Sequence, residues 1–239
     1  MSDYTYSDPA GGTLTIEGDF KERLVLWQSQ FTVTSQLSGR LPDSFSTRSF
    51  SVTHAQNHDE WLEDAKATLV GEYSLSGGSL QIWRPADQRN QGLARWVGEF
   101  HAAMAYLPFQ QWKNHDFILG YFGDLQFKDS PSGLTAAPAR SSLTVSVLDV
   151  TALIEGMGLL EIRPPSVGLG SVPAWAGHRV SAGEIWKVSD AENPDVTDHL
   201  LISSGTAVAT VMPHDGVSFD SCLSFLSEIA RLDYKGAAK

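Results

Sequence analysis

Residues 51–66, SVTHAQNHDEWLEDAK, hold two histidines four positions apart, His54 and His58, followed by Asp59, Glu60, Glu63 and Asp64. Such a stretch is either a metal site or the junction between a strand and a helix. The preceding RSFSVTH (48–54) alternates, placing Phe50 and Val52 on one side, as a half-buried strand does. Asn57 followed by Glu60 matches a capping pattern, and Asp59, Glu60 and Glu63 then lie at the positive end of a helix dipole. Trp61, Leu62, Ala65 and Leu69 continue as a helical stripe, so the spacing predicts a helix from about His58. His54 then ends a strand while His58 opens a helix, and the two share no helix face. The glutamate of a zinc-protease H-E-x-x-H motif is also missing, because position 55 is alanine. The junction reading is preferred, and it makes the chain α+β.

Working outward, TLTIEG (13–18) reads as a strand, and RLVLWQSQFTVTS (23–35) as a longer one with Val25, Trp27, Phe31 and Val33 on one face. GRLPDS (39–44) reads as a loop. EYSLSGGSLQIWRP (72–85) carries a hairpin signal at Gly77 and Gly78. Leu93, Trp96, Val97, Phe100, Met104 and Leu107 follow helical spacing up to Pro108, so a second helix is expected there. DFILGYFGDLQF (116–127) is expected to be a strand with a glycine bend, and DSPSGLTAAPARSS (129–142) a linker. LTVSVLDV and LLEIRP read as strands around a helical turn, TALIEGMG, and residues 164–177 as a long loop. Three further strands, 178–188, 199–204 and 206–212, form an antiparallel run. A last helix aligns Phe219, Cys222, Leu223, Leu226, Ile229 and Ala230.

The helical stripes at 93–100 and 219–226 correspond at an offset of 126 residues, which is either ordinary hairpin–helix grammar or an old duplication. The expected architecture is antiparallel sheet with helices packed on one face, in two similar lobes spanning 12–128 and 143–234. Residues 1–11 and 235–239 are expected to be tails.

Composition narrows the function classes. The 239 residues carry 17 Lys and Arg against 28 Asp and Glu, a formal charge of −11, with no basic cluster to displace counterions from a phosphate backbone. Nucleic acid and anionic membrane surfaces are therefore poor partners. No apolar run approaches the ~20 residues that span a bilayer, and the polar N-terminus lacks a signal-peptide core. Cys222 is the single cysteine, which fits a reducing compartment. A soluble cytoplasmic protein without membrane insertion is expected.

No motif names a reaction. Cys222 sits in an apolar stripe and reads as a small buried hydrophobe. SDAENPDVTD (189–198) gathers Asp190, Glu192, Asp195 and Asp198, but Pro194 and the absent central glycine break the EF-hand pattern. GLGSVPAWAG (168–177) lacks the third glycine of a dinucleotide fingerprint, and reads as a connector that presents Trp175. His115 beside Asp116 would point apart on a strand, and His101 reads as half-buried beside Phe100. No Gly-x-Ser-x-Gly elbow marks a serine nucleophile. Neither cofactor nor metal is expected. Among Trp27, Trp83, Trp175 and Trp186, one or two are expected to anchor a partner, because rigid rings supply much of an interface's energy.

GGTLTIEGDFKERLVLWQ, RSFSVTHAQ, the helix HDEWLEDAKATL and the strand EYSLSG resemble the start of a DcrB-like domain of the PsbP-like fold. GHRVSAGEIWKV, DHLLISSGTAVATVMP and the last helix resemble that domain's end. The resemblance covers residues 12–75 and 178–234, leaving the middle as an insertion or as parts of two tandem copies. It includes the effector-associated chaperones of type VI secretion, which are acidic, non-enzymatic proteins that shield apolar effector segments. It implies a partner-binding face at Leu24, Leu26, Gln28, Ser51 and Thr53. The leading expectation is a non-enzymatic adaptor, chaperone or immunity-type protein whose partner is another protein. The alternatives are a hydrolase whose histidines and carboxylates converge in space, and a structural subunit of a phage or secretion assembly. The sequence leaves the oligomeric state open.

Overall fold

The computed structural model describes residues 2–19, 24–35, 47–86, 92–107, 111–189 and 197–237. The chain forms two compact units. The terminal unit contains Met1–Tyr6, Gly12–Trp27 and Leu148–Lys239, and the middle unit contains Ser7–Gly11 and Gln28–Val147. The chain passes from one unit to the other inside two long strands, β3 (Leu24–Ser35) and β11 (Leu143–Ile154). The boundaries therefore lie inside strands, and not in a linker at 129–142. The 39–44 loop and most of the acidic run 189–198 lie outside the described residues.

In the middle unit an antiparallel sheet runs β3–β4–β8–β7–β6–β5. Its further members are β4 (Thr47–His54), β5 (Thr68–Leu75), β6 (Gly78–Arg84), β7 (Gly92–Val97) and β8 (His101–Leu107). Ser76 and Gly77, both at positive φ (50° and 77°), make the two-residue turn between β5 and β6, the tight hairpin that the glycines promised. One sheet face buries Phe31, Phe50, Leu80, Ile82 and Trp96 against helix α2 (His115–Gly123) and the hairpin of β9 (Leu125–Ser130) and β10 (Gly133–Pro138). Phe31 stacks on Phe50 with ring centres 4.8 Å apart, and Trp96 stacks on Phe127 at 4.7 Å. On the other face, helix α1 (Ala55–Asp64) lays Leu62 on Leu93 and Met104. Helices thus cover both faces of this sheet, where the sequence suggested one.

Four local expectations are overturned for identifiable reasons. Residues 92–107 form the β7–β8 hairpin, not a helix. Gly92–Trp96 and His101–Ala105 are buried at every position, so these strands need apolar side chains on both faces. A doubly buried run also fills the i, i+3 and i+4 positions and imitates a helical stripe. The proposed correspondence with the last helix fails with it. Residues 115–123 are helical, not extended: the Asn114 side chain accepts from the Phe117 N–H at 3.1 Å and Asp116 lies in the first turn. Residues 129–142 are no linker, since most of them build β9 and β10 and Leu134 is fully buried. The N-terminal stretch is no tail: β1 (Ser2–Ser7) is paired, and Tyr6 and Asp8 are buried.

In the terminal unit an antiparallel sheet runs β13–β14–β15–β16–β12–β11. It contains β12 (Gly158–Arg163), β13 (His178–Val180), β14 (Gly183–Ser189), β15 (Thr197–Ser203) and β16 (Val208–Pro213). β11 stays extended through Ile154, so the expected helical turn at TALIEGMG is strand followed by a turn. A three-stranded sheet joins β1, β2 (Thr13–Gly18) and β17 (Ile229–Lys235). The short helix α3 (Pro165–Gly168) precedes β13, and the last helix, α4 (Phe219–Ser227), carries buried Cys222, Phe225 and Leu226. Ser218 caps α4 by accepting from the Ser221 N–H at 3.2 Å. Burial raises the Cys222 thiol pKa, consistent with its reading as a small hydrophobe.

Leu134 separates the hairpin from the linker reading. Leu134→Ala is expected to destabilise the protein by about 2–5 kcal/mol in urea denaturation, as a buried leucine does. A change below about 0.5 kcal/mol would be the signature of an exposed linker.

Candidate functional site

The residues that the family resemblance implies as a partner-binding face differ in exposure. Leu24 is buried, whereas Leu26 and Gln28 are exposed. Leu26 lies at φ 51°, and this left-handed residue shifts the phase of β3, so that Ser29, Phe31 and Val33 are the buried positions beyond it. Ser51 is half-buried. Thr53 is buried, and its hydroxyl accepts from the Asn57 side-chain amide at 2.8 Å. Asn57 is therefore inside the first turn of α1 and not its cap, and the helix begins three residues earlier than the capping pattern indicated.

Trp175 fares differently. After β12, Pro165 starts α3, and Gly168 packs on Val208 and Arg163 where a β-carbon would crowd both. Val172 then covers a cluster of Trp186, Leu201 and Val208. Two hydrogen bonds pin the next residues: the Trp186 indole N–H donates to the Trp175 carbonyl at 2.8 Å, and the Gly177 N–H donates to Glu184 Oε2 at 3.0 Å. Only glycine fits at 177, since a β-carbon would stand 2.7 Å from the Trp186 ring. The backbone under Trp175 is thus fixed, yet its side chain leaves the residue 64 % exposed, the most of any large hydrophobic residue among those described. Beside it opens a cavity of about 390 Å³, walled by Trp175, Trp186, Ile185 and Leu223, with His178 and Lys187 at its edge. His178 belongs to β13, the edge strand of the sheet. The arrangement can take an apolar side chain, with positive charge alongside from Lys187, while Arg179 pairs with Glu184 at 3.7 Å.

The histidines sort into separate environments. His54 and His101 are cross-strand partners on β4 and β8, with ring centres 4.8 Å apart. His101 Nδ1 bonds Asp129 Oδ1 at 2.8 Å, and Asp129 Oδ2 accepts from the backbone N–H groups of Phe100 (2.7 Å) and His101 (3.2 Å). His54 Nδ1 bonds the Phe100 carbonyl at 3.3 Å. His115 pairs with the Tyr73 hydroxyl at 2.5 Å. His178 stands at the tryptophan cavity. Among the described residues no serine or threonine hydroxyl is bonded to His54, His101 or His115, and no three His, Cys, Asp or Glu side chains converge on a metal position.

Near α1, Arg95 is buried in β7 and divides its donors between Asp59 Oδ1 (2.6 Å) and Gln81 Oε1 (2.8 Å from Nη2). The pairing of Asp129 with His101 and of Arg95 with Asp59 escaped the sequence reading, because partners 28 and 36 residues apart leave no local signal. His58, four residues from His54, does not join it. It is a buried residue of α1, its Nδ1 has no hydrogen-bond partner, and burial, reinforced by Arg95, lowers its pKa to about 4.

Comparison with protein-family models, curated proteins and solved structures gave no match.

The buried His58 makes a pH prediction. Above its ordinary value of 6.5 it is neutral folded and unfolded. As pH falls from 6.5 toward 4, the unfolded chain takes the proton first and stability is lost. The loss is expected to reach about 3 kcal/mol and then level off. His58→Gln should flatten that segment of a stability-versus-pH curve measured by urea denaturation. An unchanged slope would contradict the buried neutral imidazole.

Proposed function

We propose that the protein is a non-enzymatic protein-binding adaptor, chaperone or immunity-type protein, and that it holds its partner through Trp175. The single observation that supports this reading is an indole left 64 % exposed on a backbone held by Trp186 and Glu184. An exposed aromatic on a held backbone has already met part of the ordering cost of association, and covering it gains roughly 3 kcal/mol of apolar burial. The partner inserts an apolar side chain into the cavity beside Trp175 and places acidic groups near Lys187 and Arg179. Lys187 is exposed and can meet such a charge, and the Arg179 side chain, 89 % exposed, is shared with Glu184 at 3.7 Å. A chaperone that shields an apolar segment, the role implied by the family resemblance, uses the same chemistry.

The test is capture from the native host with wild-type protein and with Trp175→Ala, at low and high salt. A stoichiometric protein retained by the wild type should bind the variant at least tenfold more weakly, as hot-spot tryptophans do. Equal binding to both would remove Trp175 as the anchor.

A further inference from the structure

We propose that the edge strand β5 of the middle unit is a self-association surface, onto which β5 of a second copy of this chain adds antiparallel about a two-fold axis at Tyr73. β5 ends the order β3–β4–β8–β7–β6–β5, so among the described residues it has a strand partner, β6, on one side and none on the other. The hairpin fixes which of its backbone groups face outward. Ser76 and Gly77 make a two-residue turn, so Leu75 and Gly78 are a hydrogen-bonded pair. Bonded and non-bonded pairs then alternate: Ser74–Ser79 is non-bonded, Tyr73–Leu80 bonded and Glu72–Gln81 non-bonded. The N–H and C=O groups of Glu72 and Ser74 therefore point away from β6, out of the sheet edge.

Sheet edges are usually protected from such pairing by lysine, proline, an inward charge, a bulge or short length. β5 has eight residues with no lysine and no proline. Its one charge, Glu72, lies on the face opposite Tyr73 and Leu75, where Ser79 Oγ (2.7 Å) and Gln81 Nε2 (3.1 Å) donate to the carboxylate. A bulge between Leu69 and Gly71 is the one such protection, and it leaves Gly71–Leu75 regular. The edge strand of the terminal unit differs: β13 has three residues, and Glu184 takes the Gly177 N–H just before it.

The regular segment is centred on Tyr73, and this selects a second copy as the occupant. Two-fold pairing at Tyr73 sets Glu72 opposite Ser74 of the copy and Gly71 opposite Leu75. The outward groups of Glu72 and Ser74 then bond one another in both directions, and a hydroxyl faces each carboxylate. Sliding the axis to Glu72 would set the two carboxylates opposite each other, which destabilises a strand pair. The Tyr73 ring leans back over Gly71, within 3.2 Å of where a β-carbon would stand, and its hydroxyl bonds His115 Nδ1 at 2.5 Å. Each ring is thus directed toward Leu75 of the other copy, and the two rings diverge at the axis. Val70, Tyr73 and Leu75, now half-buried against the core, lose further water when the copy adds. An interface of this length falls below the ~1,200 Å² of stable complexes, so the dimer is reversible and forms in the micromolar range.

The experiment is sedimentation equilibrium of the untagged full-length protein from micromolar to millimolar concentration, with amide hydrogen exchange at both ends of that range. A monomer–dimer equilibrium is expected. The Glu72 and Ser74 amides should exchange more slowly as concentration rises, while that of Tyr73, already bonded to β6, should not change. Ser74→Pro removes an outward N–H and none that β6 uses, so it should keep the thermal midpoint and weaken the dimer at least tenfold. Ser74 is exposed, so changes of charge there read the register without unfolding the chain. Ser74→Glu, facing Glu72 of the copy, should weaken association at least tenfold, and Ser74→Lys should strengthen it. A monomer at every concentration would overturn the proposal and leave this edge without a second copy. A dimer indifferent to Ser74→Pro and Ser74→Glu, or one weakened equally by Ser74→Lys and Ser74→Glu, would overturn the pairing.

Discussion

The carboxylate of Asp129 holds the turn between β7 and β8 in place. Gly92–Trp96 and His101–Ala105 are buried, the turn at 98–100 is half-buried to exposed, and the His101 donors at its inner end need a partner. Asp129 takes the N–H groups of Phe100 and His101 on one oxygen and the His101 ring on the other. The turn is closed further by the Gly98 N–H, which donates to the His101 carbonyl at 2.9 Å. Gly98 has to be glycine, because a side chain there would run into the Asp129 carboxylate. One acid on β9 therefore ties the β9–β10 hairpin to the turn between β7 and β8, sets the orientation of His101, and through it the pair with His54. Removing it would strand buried donors, each costing about 1–3 kcal/mol.

How much of this was legible depends on the range of the interactions. The β5–β6 turn was read correctly because Gly77 acts within two residues. The strand-to-helix passage at 51–66 was right in type, and its start was misplaced because Asn57 bonds back to Thr53 instead of capping. The segment 92–107 misled because strands buried on both faces lose the period of two. At 115–123 Phe117, Ile118, Leu119, Tyr121 and Phe122 form an apolar run that fits either element, and the Asn114 cap decides for the helix.

The candidate sites follow the same rule. Trp175 stood out as an aromatic in a Gly- and Pro-rich segment, and the two bonds that pin it reach only 11 and 7 residues away. The His54–His101 pair was invisible, since it depends on which strands lie side by side. The opening pair of histidines, His54 and His58, does not come together, and His54 acquires a different histidine neighbour, His101, through the sheet. The two surfaces lie in different units and use different chemistry. One offers an exposed indole on a pinned backbone beside an apolar cavity, and the other a stacked pair of imidazoles oriented by Asp129.

The account turns on the claim that Asp129 fixes the protonation site of His101. Long-range proton–nitrogen correlation spectra of the metal-free protein at pH 7 would report it directly. The account predicts a neutral His101 ring with its hydrogen on Nδ1, facing Asp129, and a bare Nε2. A ring protonated on Nε2 alone, or an imidazolium at that pH, would contradict it.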